Sequence, residues 1–191
     1  DVRLAWLIAV LFLLVALGVI WLYLTHQPAA IGVAGRFTIA APDKVYELMA
    51  MALSPDGRNL AFIGWGEGKR QIWVRPLDSL TARPLPGTVG IEGGLFWSPD
   101  SRWLAYRDDN KLKKINLTDS TQQTLCDVPR SIEGIGGTWN RAGEILFSHS
   151  SVIYRVPATG GTPVPLPGFD QPGQCVTRHW PCFLPDGQHF I

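Results

Sequence analysis

Charge and cysteine are both scarce in this sequence. Charged residues make up 17% of its 191 residues and leave a formal net charge of +1, so nothing in the composition indicates a nucleic-acid partner or a strongly acidic one. The three cysteines are an odd number, so at least one thiol has no disulfide partner within these residues.

Recognisable catalytic motifs are missing as well. The sequence has no Gly-x-Ser-x-Gly elbow, no His-Arg-Asp and no Asp-Phe-Gly. The glycine-rich run 64–68 lacks the Gly-x-Gly-x-x-Gly spacing and is followed by no helix, which favours a flexible hairpin loop over a phosphate-binding loop. We therefore expect neither a catalytic residue nor a cofactor in this chain.

One cluster has the spacing of a metal site. Cys175, His179 and Cys182 form Cys-x3-His-x2-Cys, but no fourth ligand is evident. If this region lies outside the cytoplasm, Cys175 and Cys182 could instead form a disulfide, and the remaining alternative is unpaired or buried thiols. Cys126 is expected in a strand of the core. We predict no bound metal.

A long hydrophobic run lies near the start of the sequence. Leu4 to Leu24 contains no charged residue and is long enough to cross a bilayer as a helix, with Trp6, Trp21 and Tyr23 near its ends. A cleaved signal peptide would have a shorter apolar core and a small-residue cleavage site. We predict a transmembrane helix over residues 1–25 and a linker over residues 26–35.

A short sequence box recurs through the rest of the chain. It begins at Ser54, Ser98, Asn140 and Leu184, a period of 42 to 44 residues, which indicates an array of equal structural units. Pro and Asp suit the corners of a tight turn, and Gly suits a position with positive φ. A recurring Asp could suggest calcium binding, but its presence at successive turns favours turn chemistry. The predicted structural turn residues are Pro55, Asp56, Gly57, Pro99, Asp100, Pro185, Asp186 and Gly187.

Each unit also contains a second pair of strand-like segments. Ile72–Leu77, Leu112–Leu117 and Ile153–Ala158 occupy one column of the repeat, and a short segment follows each of them. Four strands in about forty residues are typical of a β-propeller blade. We predict an all-β fold: a partial β-propeller over residues 36–191, after one transmembrane helix, with blades at about 48–87, 93–127, 136–167 and a truncated 180–191. Because a closed ring needs more blades, we expect the chain to be part of a longer protein.

The box resembles a known family. Ser54-Pro55-Asp56-Gly57-Arg58 followed by Leu60-Ala61-Phe62 is similar to the TolB-type, WD-repeat-like blade of bacterial propellers, over residues 36–191. The order of anchor, linker and blades resembles the extracytoplasmic part of bacterial receptor-type serine/threonine kinases, as do the phrases 73–80 and 137–141. This resemblance implies a sensing or protein-binding propeller coupled to a cytoplasmic kinase domain that precedes the anchor.

Three alternatives remain open at this point. One is a TolB-like periplasmic scaffold without a kinase, another is the propeller of a prolyl-oligopeptidase-type serine peptidase, and the last is a membrane-anchored transcriptional regulator. The single Arg3 before the apolar run predicts that the N-terminal side is cytoplasmic. We therefore expect a single-pass protein of the bacterial inner membrane, with the propeller on the periplasmic side.

The predicted binding surface is the face opposite the boxes. Antiparallel alternation places the box turns on one face and the irregular loops 64–70, 107–110, 128–137 and 168–179 on the other, and variable loops on a rigid scaffold usually carry binding. Lys111, Lys113 and Lys114 are expected to form a solvated basic face. The candidate residues for a protein or small-ligand partner are Trp65, Arg70, Arg107, Arg130, Glu133, Arg178 and His179.

Overall fold

The chain divides into two compact units, Asp1–Ile39 and Ala40–Ile191. The computed structural model describes residues 2–25, 42, 45–128, 136–150, 152–167 and 180–191. The predicted linker 26–35 therefore lies outside the described residues.

The first unit contains helix α1, Val2–Thr25, which covers the apolar run of the sequence. Of its side chains, the structure describes Arg3, Trp6, the run 10–19 and Trp21. Within this described part, no helix is both long and apolar enough to cross a membrane.

The second unit consists of antiparallel β-sheet. Its described part forms three four-stranded sheets, each with its strands in sequence order. This confirms the predicted all-β class with four-stranded blades. The first sheet contains β1 (Glu47–Leu53), β2 (Asn59–Gly66), β3 (Lys69–Pro76) and β4 (Arg83–Pro84). The second contains β5 (Gly93–Trp97), β6 (Trp103–Asp108), β7 (Lys111–Asn116) and β8 (Gln122–Asp127). The third contains β9 (Gly137–Trp139), β10 (Glu144–His149), β11 (Val152–Pro157) and β12 (Val164–Pro165).

The sequence box forms the turn between the first two strands of a sheet. In the first box, the Asp56 carboxylate accepts hydrogen bonds from Ser54 Oγ at 2.5 Å and from the backbone N–H of Arg58 at 3.0 Å. Gly57 has φ of 69° and donates its N–H to the Ser54 carbonyl at 2.8 Å. The side chains of the box thus satisfy the backbone groups that the turn leaves unpaired.

The same bonds recur in the later boxes, with local changes. Asp100 accepts hydrogen bonds from Ser98 Oγ and from the N–H of Arg102. Ser101 has a positive φ of 61° at the position that Gly57 occupies in the first box. The last box also closes its turn, because the Gly187 N–H donates to the Leu184 carbonyl at 2.9 Å. A short antiparallel bridge joins the two phenylalanines that flank this last turn, Phe183 and Phe190.

Apolar side chains join each sheet to the next. One buried cluster contains Ile63, Ile72 and Val74 of the first sheet together with Leu95 and Trp97 of the second. A second cluster joins Phe96 and Leu112 to Ile145 and Phe147 of the third sheet. The Trp97 side chain, only 6% exposed, donates its indole N–H to the carbonyl of Ala52 in the neighbouring sheet at 2.9 Å.

The prediction of an irregular loop over residues 64–70 is wrong. Strand β2 continues to Gly66 and β3 begins at Lys69, so only Glu67 and Gly68 form the turn. Both residues have positive φ, 52° and 75°, as a two-residue hairpin turn requires. The high glycine content of this segment therefore supplies one tight turn, and the remaining residues extend the strands.

The expected solvated face at Lys111, Lys113 and Lys114 is wrong for Lys114, which is buried at 8% exposure. Its Nζ lies 4.5 Å from the ring centroid of Trp103 and 5.6 Å from that of Trp139 in the next sheet. It also donates a 2.7 Å hydrogen bond to the carbonyl of Ala158. The lysine remains between the sheets because aromatic rings and a carbonyl offset the loss of water.

Candidate functional site

The candidate site lies on the face opposite the box turns. We call this the loop face: it consists of the β2–β3 turn, the β6–β7 turn, the β10–β11 turn and the connection 85–92 between β4 and β5. The opposite face is occupied by the boxes and by the turn after β3, where the Leu77 N–H donates to the Arg58 carbonyl at 2.8 Å.

An ion pair between a buried arginine and a partly exposed glutamate holds the connection 85–92 against the second sheet. Arg107 Nε at the end of β6 lies 3.2 Å from Glu92 Oε2 and 3.1 Å from the carbonyl of Asp109. The Arg107 side chain is only 4% exposed, while that of Glu92 is 35% exposed. The backbone N–H of Glu92 also donates to the Arg107 carbonyl at 3.2 Å. This combination of backbone and side-chain bonds fixes where the connection crosses the sheet.

Trp65 and Arg70 lie directly beside this ion pair. They are cross-strand partners in the β2–β3 hairpin, and the Arg70 guanidinium carbon is 5.5 Å from the centroid of the Trp65 ring. Arg70 Nη1 donates to the Glu92 carbonyl at 3.2 Å, and the Arg70 carbonyl accepts from the Gly90 N–H at 2.7 Å. The Trp65 side chain is 37% exposed, so an aromatic ring held by an arginine faces solvent.

The structure thus brings together three of the seven predicted binding residues: Trp65, Arg70 and Arg107. Glu92, which connects the two arginines, was missed by the sequence analysis, because the spacing of the chain gives no sign that it meets Arg107. The other four predicted residues, Arg130, Glu133, Arg178 and His179, lie outside the described residues.

The chemistry of this cluster suits recognition. Trp and Arg are the side chains most enriched where protein interfaces concentrate their binding energy. Hydrogen bonds and an ion pair already hold the cluster in place without a partner, which favours a lower entropic cost of binding. Among the residues that the structure describes, no group of three or more His, Cys, Asp or Glu side chains could hold a metal ion.

The cysteine motif can be placed only in part. Cys182 has an exposed side chain whose Sγ lies 3.6 Å from the carbonyl of Phe183. Cys175 and His179 are outside the described residues, so the absence of a bound metal stays a prediction, and the choice between a disulfide and unpaired thiols stays open. Cys126 lies in the core at 5% exposure, and burial raises the pKa of its thiol to about 11. A buried neutral thiol of this kind is a poor nucleophile.

Comparisons with known proteins give the fold. The crystal structure of TolB from Acinetobacter baumannii is similar with a TM-score of 0.59 and 16% identity, over 75% of this chain and 37% of that chain. A puromycin hydrolase mutant is similar with a TM-score of 0.50 and 19% identity, over 64% of this chain and 22% of that chain.

One curated protein is similar in sequence. An uncharacterised protein of Agrobacterium fabrum is 26% identical over 102 residues, which cover 49% of this chain and 32% of the relative. No protein-family model matches the sequence. The matched part of this chain therefore spans about a third of the length of the Agrobacterium protein and of TolB.

Proposed function

We propose that this chain, whose strands have the TolB-like β-propeller fold, is the binding module of a bacterial membrane receptor. The propeller is tethered to the inner membrane by the N-terminal helix, lies on the periplasmic side and binds a protein partner through its loop face. A serine/threonine kinase domain in the same protein, on the cytoplasmic side, receives the signal.

The membrane tether is supported by the sequence of the helix. Residues 4–24 contain no charged side chain, and the whole run is helical from Val2 to Thr25. Taken from the sequence alone, an uncharged run of this length is what a helix needs to cross the hydrocarbon core. The preceding Arg3 favours a cytoplasmic N-terminal side, which puts the propeller in the periplasm.

The binding role rests on one observation, the cluster on the loop face. Trp65 is partly exposed, Arg70 lies over its ring, and the Arg107–Glu92 ion pair holds the connection behind them. These contacts join two sheets, so a partner that docks on Trp65 binds beside the junction of two blades. Such a surface would transmit a change in the relative position of the blades to the rest of the propeller.

The kinase assignment rests on resemblance in layout. An anchor, a short linker and Ser-Pro-Asp-Gly blades occur in that order in bacterial receptor-type kinases, and a TolB-like scaffold without a kinase would share the same loop face. The likeness to puromycin hydrolase concerns the fold alone. We prefer the receptor because the order of anchor, linker and blades in this sequence matches it.

Site-specific photocrosslinking in living cells tests the binding role. A photoreactive phenylalanine derivative replaces Trp65 on the loop face or, as the matched control, Leu80, which is 93% exposed in the turn after β3 on the box face. We expect one discrete adduct from position 65 and none from position 80. The Arg70→Ala exchange should weaken the adduct at position 65, because it removes the group that orients the neighbouring side chain.

A thiol label tests the orientation in the same cells. Leu80→Cys introduces an exposed thiol, and a membrane-impermeant maleimide should label it above the level of the parent chain without lysis of the inner membrane. Labelling only after lysis would place the propeller in the cytoplasm.

In the photocrosslinking experiment, equal adducts from positions 65 and 80 would show that the loop face is not the binding surface.

A further inference from the structure

A cavity of about 430 Å³ lies between the second and third sheets, away from the cluster around Trp65. Its walls come from both sheets, with Val128 after β8 on one side and Phe147, His149 and Tyr154 on the other. Its size is within the range of small-ligand sites, and its lining is mainly apolar with a few polar groups, as such sites usually are.

The wall formed by the third sheet is aromatic. The rings of Phe147 and Tyr154 are stacked, with centroids 5.5 Å apart and an angle of 16° between their planes. The His149 ring is tilted by 54° against Tyr154 at 6.3 Å. Phe147 is buried and Tyr154 half-buried, so the Tyr154 ring, backed by Phe147, is the part of the stack that a further ring can reach.

The polar groups of the cavity come from the second sheet. Asn110 of the β6–β7 turn and Asp127 at the end of β8 both line it. Asp127 is ion-paired with Lys111 at 3.0 Å, but the carboxylate side chain is 85% exposed and that of the lysine 49%. A pair this exposed is weak and can exchange its lysine for another cation.

We propose that this cavity binds a small aromatic amine, whose ring packs on the aromatic wall and whose ammonium group pairs with Asp127. An aromatic stack supplies the surface for a planar ring, and a carboxylate at the same cavity selects a positive charge. The cavity shares no lining residue with the cluster around Trp65, so the two can be tested independently.

Titration calorimetry of the complete chain in detergent, with three matched probes, tests the proposal. Phenethylamine carries both the aromatic ring and the ammonium group, cyclohexylethylamine replaces the ring by a saturated one, and phenylacetate replaces the ammonium by a carboxylate. We expect phenethylamine to bind at least fivefold more tightly than either of the other two probes.

Two exchanges at the exposed ion pair should act in opposite directions. Asp127→Asn should weaken phenethylamine binding about two- to fivefold, as the strength of an exposed charge pair implies. The same exchange should not lower the affinity for phenylacetate. Lys111→Gln removes the competing cation and should strengthen phenethylamine binding. Both side chains are on the surface, so neither exchange should alter folding. Leu80→Ala on the box face is the matched control and should bind all three probes like the parent chain.

The aromatic wall has its own pair of variants. Tyr154→Phe keeps the ring and should retain phenethylamine binding, whereas Tyr154→Leu should lose most of that binding. The melting temperature of each variant checks that it is folded. Equal affinity for phenethylamine and cyclohexylethylamine, or no heat of binding for phenethylamine at its solubility limit, would overturn the proposal. The photocrosslinking result at position 65 has no bearing on this outcome.

Discussion

Replacement of Trp97 by alanine is the sharpest test of how the blades are held together. Trp97 ends strand β5, is 6% exposed and lies in the cluster that joins the first sheet to the second. Its indole N–H also bonds to the carbonyl of Ala52 across that junction at 2.9 Å. Trp97→Ala therefore removes packing and a hydrogen bond between the blades at the same position.

The expected loss of stability follows from these contacts. A buried tryptophan covers roughly 150–250 Å², which at about 25 cal/mol per Å² corresponds to about 4–6 kcal/mol. Large-to-small exchanges of this kind cost about 3–5 kcal/mol in practice. Trp97→Phe keeps most of the ring and loses the hydrogen bond, so it should cost only about 1–2 kcal/mol.

Thermal and urea unfolding of the complete chain measure both values. At roughly 2–4 °C per kcal/mol for a domain of this size, Trp97→Ala should lower the Tm by about 6–20 °C and Trp97→Phe by well under half of that. If Trp97→Ala unfolds within about 1 kcal/mol of the parent chain, the indole does not join the two blades and the account of the core is incorrect.

Three further results are expected. A hydrogen bond from the backbone N–H of His189 lowers the pKa of Asp186 to about 2. The stability that this carboxylate contributes is therefore complete above the ordinary carboxyl pKa and is lost as the pH falls towards 2. The Tm difference between the parent chain and Asp186→Asn should disappear over that pH range. Burial lowers the pKa of Lys114, so the folded state binds the lysine proton less readily than the unfolded state. Urea unfolding should therefore show that the stability of the parent chain relative to Lys114→Met rises as the pH approaches 10.5. A fall in this relative stability would contradict the prediction. A Cβ at Gly137 would clash with the ring of Phe96 in the neighbouring sheet, so Gly137→Ala should lower the free energy of unfolding by about 1–3 kcal/mol in the same assay. An unchanged unfolding curve would mean that the two sheets are less closely packed there.

The repeat made the architecture predictable. Its period and the Pro-Asp-Gly turn residues predicted four-stranded units, and the three described sheets confirm this. These features are local in sequence or recur at a fixed interval, so a single chain suffices to find them.

The features that the sequence analysis missed depend on contacts between units. Lys114 occupies the column of Val74 and Arg155, and only the neighbouring Trp139 and Ala158 explain why a charge is buried there. The column itself gave an ambiguous signal, because Val74 is buried whereas the Arg155 side chain is 52% exposed. Glu92 gave no such signal, because its contact with Arg107 depends on the path of the connection before β5.

The cavity beside Tyr154 was also beyond sequence reasoning. Its lining comes from two sheets, and no motif or spacing relates Asp127 to the aromatic pair. The predicted loop at 64–70 was wrong for a different reason. Glycine frequency indicated irregular backbone, whereas the hairpin needed positive φ at only two positions, Glu67 and Gly68.

The complete coding sequence on both sides of these 191 residues tests the central claim most directly. A receptor of the proposed type requires a kinase domain with His-Arg-Asp and Asp-Phe-Gly motifs upstream of the helix and further Ser-Pro-Asp-Gly blades downstream of the last box. We expect both. A winged-helix domain upstream, a Gly-x-Ser-x-Gly hydrolase domain downstream, or a protein with neither would contradict the kinase receptor and leave a regulator, a peptidase or a scaffold in its place.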